Sequence, residues 1–242
     1  MKKGYGVFGK AYESMLRNDL HALNSIDHQL MRDMILLEAD SYPILYGAPP
    51  AAPDMKAHAL YGFAQSFRGD SDSVSIQSIL IYTSKIASDF SLSFEEMRFG
   101  GTEQQILTRG TDWCADMARV AVVLLNCLGM PARILHLANT EKAYNGHVIA
   151  EAFYEGKWGA IDPLYGYSFY ESAPLDAYTL MCEPDRLKDY SAEYRGYFRK
   201  IAISAYDPLD ADNDYSISGI NDYYRALLSA DHHGRWLMGE DE

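Results

Sequence analysis

The stretch that most constrains this 242-residue chain runs from Thr111 to Arg133, TDWCADMARVAVVLLNCLGMPAR. Met117, Val120, Ala121, Leu124, Leu125 and Leu128 recur at helical spacing, and Val122 and Val123 widen the apolar surface to nearly every side. A helix apolar all round must be enclosed by the rest of the fold. Thr111 or Asp112 is the predicted N-cap. Gly129 fits the position just past the last turn, and Pro131 prevents continuation. The fold is therefore built around this helix, and the helix carries Cys114 in its first turn.

That position has chemical consequences. Unpaired N–H groups and the helix dipole at an N-terminus favour a thiolate over a thiol. The same N–H groups can stabilise an oxyanion. Cys127 lies near the other end, where the dipole opposes a thiolate, and reads as packing. A lone cysteine in an apolar helix is more often a small buried hydrophobe than a nucleophile, so the chemical reading requires partners.

Partners are suggested by GHVIAEAFYEGKWGAIDPLYG, which begins at Gly146. His147 to Tyr154 and Lys157 to Ile161 are strand-forming, with Glu155-Gly156 as a two-residue hairpin turn between them. In that register Tyr154 faces Lys157, Phe153 faces Trp158, and Ile149 faces Asp162. Side chains alternate faces along a strand. His147, Ile149 and Glu151 therefore share a face with Trp158, Ala160 and Asp162. His147 and Asp162 become diagonal neighbours, within side-chain reach. A slip by one residue would put them on opposite faces. Taken singly, His147 could be a strand-end histidine bonded to backbone, and Asp162-Pro163 a turn opening. Joined to a cysteine at a helix start, they make a nucleophile, base and orienter set.

The blocks RGTDWCADMARVAVVLLNCLGMPARIL and GHVIAEAFYEGKWGAIDP resemble the transglutaminase-like superfamily, a branch of the papain-like cysteine enzymes, over about Gln104 to Gly166. The resemblance implies Cys114 as nucleophile, His147 as general base and Asp162 as the third member. It also implies an α+β fold: a papain-like/transglutaminase-like core with a central Cys-bearing helix packed on an antiparallel sheet. One departure stands out. Family members usually carry a glycine one or two residues before the cysteine, whereas here Gly110 precedes it by four. The oxyanion donors expected are the Cys114 N–H with Gln104, Gln105 or Trp113.

Around this core no clean linker is evident, so a single domain over 1–242 is expected. A mainly helical part (1–95) precedes the catalytic core (96–166), and a C-terminal part (167–242) completes the sheet and cleft. In the helical part, Tyr12, Met15, Leu16, Leu20 and Leu23 form one stripe. Asp27 caps a second helix using Leu30, Met31, Met34 and Ile35. The proline-rich Ala48 to Pro53 is a loop. Asp54 starts a helix through Phe67, and Ser73 starts another carrying Ile76, Ile79, Leu80, Thr83 and Ile86. Strand-like pieces such as Tyr197 to Ala205 and a helix near Asn221 to Ala230 are expected later. Tyr165, Tyr167, Tyr170, Tyr178, Tyr190, Tyr194 and Tyr197 either wall a cleft or pack.

The net charge of −13 argues against phosphate backbones and anionic lipid as partners. Three cysteines make no disulfide framework. With no apolar leader or spanning run, a cytoplasmic location is expected. No cofactor or metal is implied. His232-His233 could bind metal, but adjacent histidines in a polar segment usually do not; His136 is not spaced with His147 like a zinc pair, and Asp207 to Asp214 lacks the glycine and terminal glutamate of a calcium loop. The expectation is a thiol enzyme acting on an amide, ester or thioester of a small-molecule, peptide or carrier-bound acyl substrate. Water or an amine accepts the acyl group. The alternatives are a catalytically silent peptide- or partner-binding scaffold, and a triad-based isomerase or cyclase.

Overall fold

The apolar helix is the hub of the molecule. The computed structural model describes residues 34–47, 51–89, 102–111, 113–139 and 146–204. In chain order the elements are β1 (Met34–Leu36), α1 (Tyr42–Tyr46), α2 (Tyr61–Ala64), α3 (Asp72–Asp89), α4 (Glu103–Arg109), α5 (Cys114–Cys127) and β2 (Ala132–Ala138). They continue with β3 (Gly146–Tyr154), β4 (Lys157–Asp162), β5 (Tyr167–Ser168), α6 (Ala177–Cys182), α7 (Ala192–Tyr197) and β6 (Lys200–Ser204). Among the described residues the strands form one antiparallel sheet, ordered β1-β6-β2-β3-β4-β5. This is an α+β fold, with the cysteine-bearing helix packed on one face of an antiparallel sheet.

Every residue of α5 after Cys114 is buried. Its three polar interior residues all have partners, as burial demands. Asp116 takes Arg109 at 2.8 Å, Arg119 donates to Glu103 at 2.9 Å, and Asn126 accepts from the Ala132 N–H at 3.1 Å. The helix ends as the sequence predicts. Gly129 is left-handed at φ 84°, with Met130 N–H on the Leu125 carbonyl and Gly129 N–H on that of Asn126. The start differs. The N-cap is Trp113, without a side-chain cap. The Thr111 hydroxyl instead accepts from the Trp113 N–H and donates to Asp116, while Asp112 lies outside the described residues.

The sheet separates two cores. On one face, Ile134, Val148, Ala150, Ala152, Tyr154 and Ile161 pack with α3 and α5. On the other, Leu135, Leu137, Ile149, Ala160 and Ile203 pack with Phe169, Leu180, Leu187 and Tyr194. The second face also buries Glu151, which is fully enclosed. Glu151 accepts from Arg133 Nε at 2.8 Å, from the Tyr46 hydroxyl at 3.1 Å and from the Ala177 N–H at 2.8 Å. The Arg133 guanidinium is sandwiched between the Tyr46 and Trp158 rings. Burial raises the pKa of Glu151, and Arg133 opposes that. This cluster pins α1 and α6 to the sheet.

Three local expectations are corrected. Met34 and Ile35 lie in a strand rather than a helix, because β6 offers an open edge that the short apolar run can pair with. The helix expected from Asp54 begins only at Tyr61. The Asp54 carboxylate bonds the Lys56 N–H, and His58 Nδ1 accepts from the Leu60 N–H. Such local bonds compete with helix formation. α3 starts at Asp72 with Ile76, Ile79, Leu80 and Thr83 buried as expected. The strand expected over Tyr197 to Ala205 is confined to β6, since α7 runs through Tyr197. The helices expected at Tyr12 to Leu23 and Asn221 to Ala230 lie outside the described residues, as do His232-His233 and Asp207 to Asp214. No helix among the described residues is long and apolar enough to cross a membrane.

Candidate active site

The β3–β4 hairpin sets the geometry. Its turn residues Glu155 and Gly156 have φ of 52° and 78°, the left-handed pair that a two-residue hairpin requires. The pairing that follows is Tyr154 with Lys157, Phe153 with Trp158 and Ala150 with Ile161, which is the register expected. Alternation then brings His147 and Asp162 to one face. His147 Nε2 lies 2.7 Å from Asp162 Oδ2. His147 is 6% exposed and Asp162 fully buried.

Asp162 is held from every side. Oδ1 accepts from the backbone N–H groups of Leu164 at 3.0 Å and Tyr165 at 3.2 Å. Oδ2 accepts from the His147 ring and from the Tyr194 hydroxyl at 2.5 Å. A carboxylate has no proton to give, so His147 Nε2 is the donor and Nδ1 faces elsewhere. Cys114 acts on the same ring and helps to raise its pKa. Burial opposes the charged ring, but the Asp162 charge and hydrogen bond, joined by Cys114, outweigh it. They push the His147 pKa up to about 10.

Cys114 is partly exposed at the start of α5, the least buried residue of that helix. Trp113, at the N-cap, makes no side-chain bond to the first-turn N–H groups. Cys127, at the far end, is buried, and burial with the Glu103 charge pushes its thiol up to about 11. Gln105 is engaged in a capping box with Thr102 at the start of α4, and Gln104 is exposed on the same helix. The Trp113 backbone N–H is taken by Thr111. Gly110, at φ 79°, caps the end of α4. The glycine expected nearer the cysteine is thus part of a separate helix end.

Beside the histidine opens a cleft of about 650 Å³. Tyr165, Tyr167, Tyr170, Tyr190, Tyr194 and Tyr197 line it, while Tyr178 stacks on Tyr42 elsewhere. Tyr165 and Tyr197 also flank the His147 ring, at 5.6 and 5.4 Å between centroids. They join the cleft to the catalytic candidates. Among the described residues no three His, Cys, Asp or Glu side chains converge as a metal ion would require.

The superfamily model of transglutaminase-like proteins matches residues 63–163. That segment is similar to the core of transglutaminase-like proteins. The matched segment starts in α2 and ends one residue beyond Asp162, so it holds Cys114, His147 and Asp162 and leaves out Tyr194. No curated protein matches the chain. Two solved structures resemble it. A candidate cysteine protease from Cytophaga hutchinsonii is 20% identical, with a TM-score of 0.33, over 61% of this chain and 47% of that one. A TGase is 16% identical, with a TM-score of 0.35, over 94% of this chain and 55% of that one. The chain thus spans about half the length of each.

Proposed function

We propose that this protein is a cysteine-nucleophile enzyme that forms an acyl-enzyme at Cys114 from an amide, ester or thioester. One observation carries the reading: a buried imidazole has one nitrogen fixed by a carboxylate at 2.7 Å, and a cysteine at a helix start acts on the same ring, raising its pKa. A protonated ring beside the sulfur favours the thiolate. The thiolate adds to the acyl carbon, and the oxygen that becomes negative meets the open first-turn N–H groups of α5, Cys114's own included. His147 then gives its proton to the leaving group. The acyl-sulfur bond is broken by water or an amine, which His147 deprotonates as base. Asp162 keeps Nε2 protonated throughout and so leaves Nδ1 toward the sulfur.

The tyrosine-lined cleft is the proposed substrate groove. Its aromatic walls suit an extended peptide, small-molecule or carrier-bound acyl chain. Intact-mass analysis after incubation with activated esters, thioesters and glutamine peptides tests the proposal. The expected result is a single acyl adduct on the protein, absent from Cys114→Ala. No adduct from any class, or an adduct that persists in Cys114→Ala, would count against it.

A further inference from the structure

We propose that Tyr194 is a positioning residue of this site, acting on His147 through Asp162. The inference rests on the catalytic reading above. Its own observation is the bond from the Tyr194 hydroxyl to Asp162 Oδ2 at 2.5 Å, on the same oxygen that takes His147 Nε2 at 2.7 Å. Tyr194 is 6% exposed, on α7, and its ring meets that of His147 edge-on at 6.0 Å between centroids.

Two donors on one oxygen do separate things. The imidazole N–H needs Oδ2 to keep its tautomer. The phenol anchors that oxygen from the opposite element and draws charge away from it. A hydrogen bond to a charged group is among the stronger ones. With the two backbone N–H bonds on Oδ1 and the His147 bond on Oδ2, it completes a set of four donors that fix the Asp162 carboxylate. Burial and the Asp162 charge both raise the phenol pKa far above its ordinary value, so Tyr194 remains a donor over the working pH range. Tyr194 also walls the cleft, where it contacts Tyr165, Tyr167, Tyr190 and Tyr197. It therefore links the groove to the Asp162–His147 pair.

The titratable groups that bear on His147 are Asp162, Cys114, Tyr165, Tyr194 and Tyr197. Glu193 acts on two of the tyrosines. The tyrosine hydroxyl that bonds Asp162 is that of Tyr194; Tyr165 bonds it through its backbone N–H. Removing its hydroxyl concentrates negative charge on the oxygen facing the ring, so the imidazolium is held more tightly.

The test is an NMR titration of the His147 ring protons in the full chain, with Tyr194→Phe compared with unmodified protein and with Tyr190→Phe. Tyr190 stacks on Tyr194 and lines the same cleft but has no bond to Asp162 in the described residues. Tyr194→Phe is expected to raise the His147 pKa by about half a unit or more, and Tyr190→Phe to leave it in place. Tyr194→Met, which refills the wall with a flexible apolar chain, carries the same test if the phenylalanine variant does not fold. A titration unchanged or lowered in the Tyr194 variants overturns the proposal. Alkylation of Cys114 by iodoacetamide, measured alongside, separates the two readings. If the unmodified protein reacts no faster than a free thiol, the catalytic reading and this inference fall together. If it reacts fast but the titration does not move, this inference alone falls.

Discussion

The two faces of the sheet are built on opposite principles. The face under α5 is almost wholly aliphatic and alanine-lined, and it places a cysteine by burying everything behind it. The other face encloses charged groups, and each has a specific partner: Glu151 with Arg133 and Tyr46, Asp162 with His147 and Tyr194. Two histidines on neighbouring strands show the difference. His136 pairs with Val148, and Leu137 with His147, so the two rings emerge on opposite faces. Burial lowers the His136 pKa to about 3, while His147, equally enclosed but beside Asp162, is raised to about 10. Burial lowers the pKa of an imidazole, and a carboxylate fixed beside it reverses the direction.

The contrast can be broken most forcefully at Glu151. Glu151→Ala leaves the Arg133 guanidinium enclosed without its counter-charge, and is expected to cost about 3–5 kcal/mol by urea denaturation. A loss under about 1 kcal/mol would mean that this face admits water. On the aliphatic face, Leu124→Ala should cost about 3 kcal/mol through lost transfer energy and the cavity left behind. A cost well below that would mean the helix can settle into the gap.

The histidines sharpen the comparison through pH. His147 binds a proton more tightly folded than unfolded, where its reference value is 6.5. Its contribution to stability is full below that value and is lost as pH rises toward about 10. His136 is the reverse: its contribution is full above 6.5 and is lost as pH falls toward about 3. Each slope is at most about 1.4 kcal/mol per pH unit. Stability curves should lose the alkaline slope in His147→Gln and the acid slope in His136→Leu. Curves that keep both slopes would contradict the assignment. The smallest effect is expected at the turn. Gly156 is left-handed, with open space where a Cβ would stand, so Gly156→Ala should cost only about 1 kcal/mol of backbone strain.

The α5 helix and the β3–β4 hairpin are legible in the sequence because their signals are local. An apolar run closed by Gly129 and Pro131 has one reading, and a two-residue turn leaves one register, which fixes the shared face of His147 and Asp162. The parts that were not legible depend on distant chain. Met34–Leu36 becomes a strand only because β6 is there to pair with it. Tyr194 lies 32 residues from Asp162, and one tyrosine among many carries no local mark of its partner. Arg133 opposite Glu151 was within reach, since both flank the same strand pair, but only the rings of Tyr46 and Trp158 reveal that the pair is enclosed. The N-cap falls on Trp113 rather than Thr111 for a related reason: the Thr111 hydroxyl donates to Asp116 and accepts from the Trp113 N–H.

The central claim is that a fixed imidazole activates the sulfur at the start of α5. Its most direct measurement is the rate of Cys114 alkylation by iodoacetamide near neutral pH, with Cys114→Ala as the blank. The account predicts alkylation well above that of a free thiol, falling by at least about tenfold in His147→Ala. A rate no higher than a free thiol's, and the same with or without the ring, would contradict it.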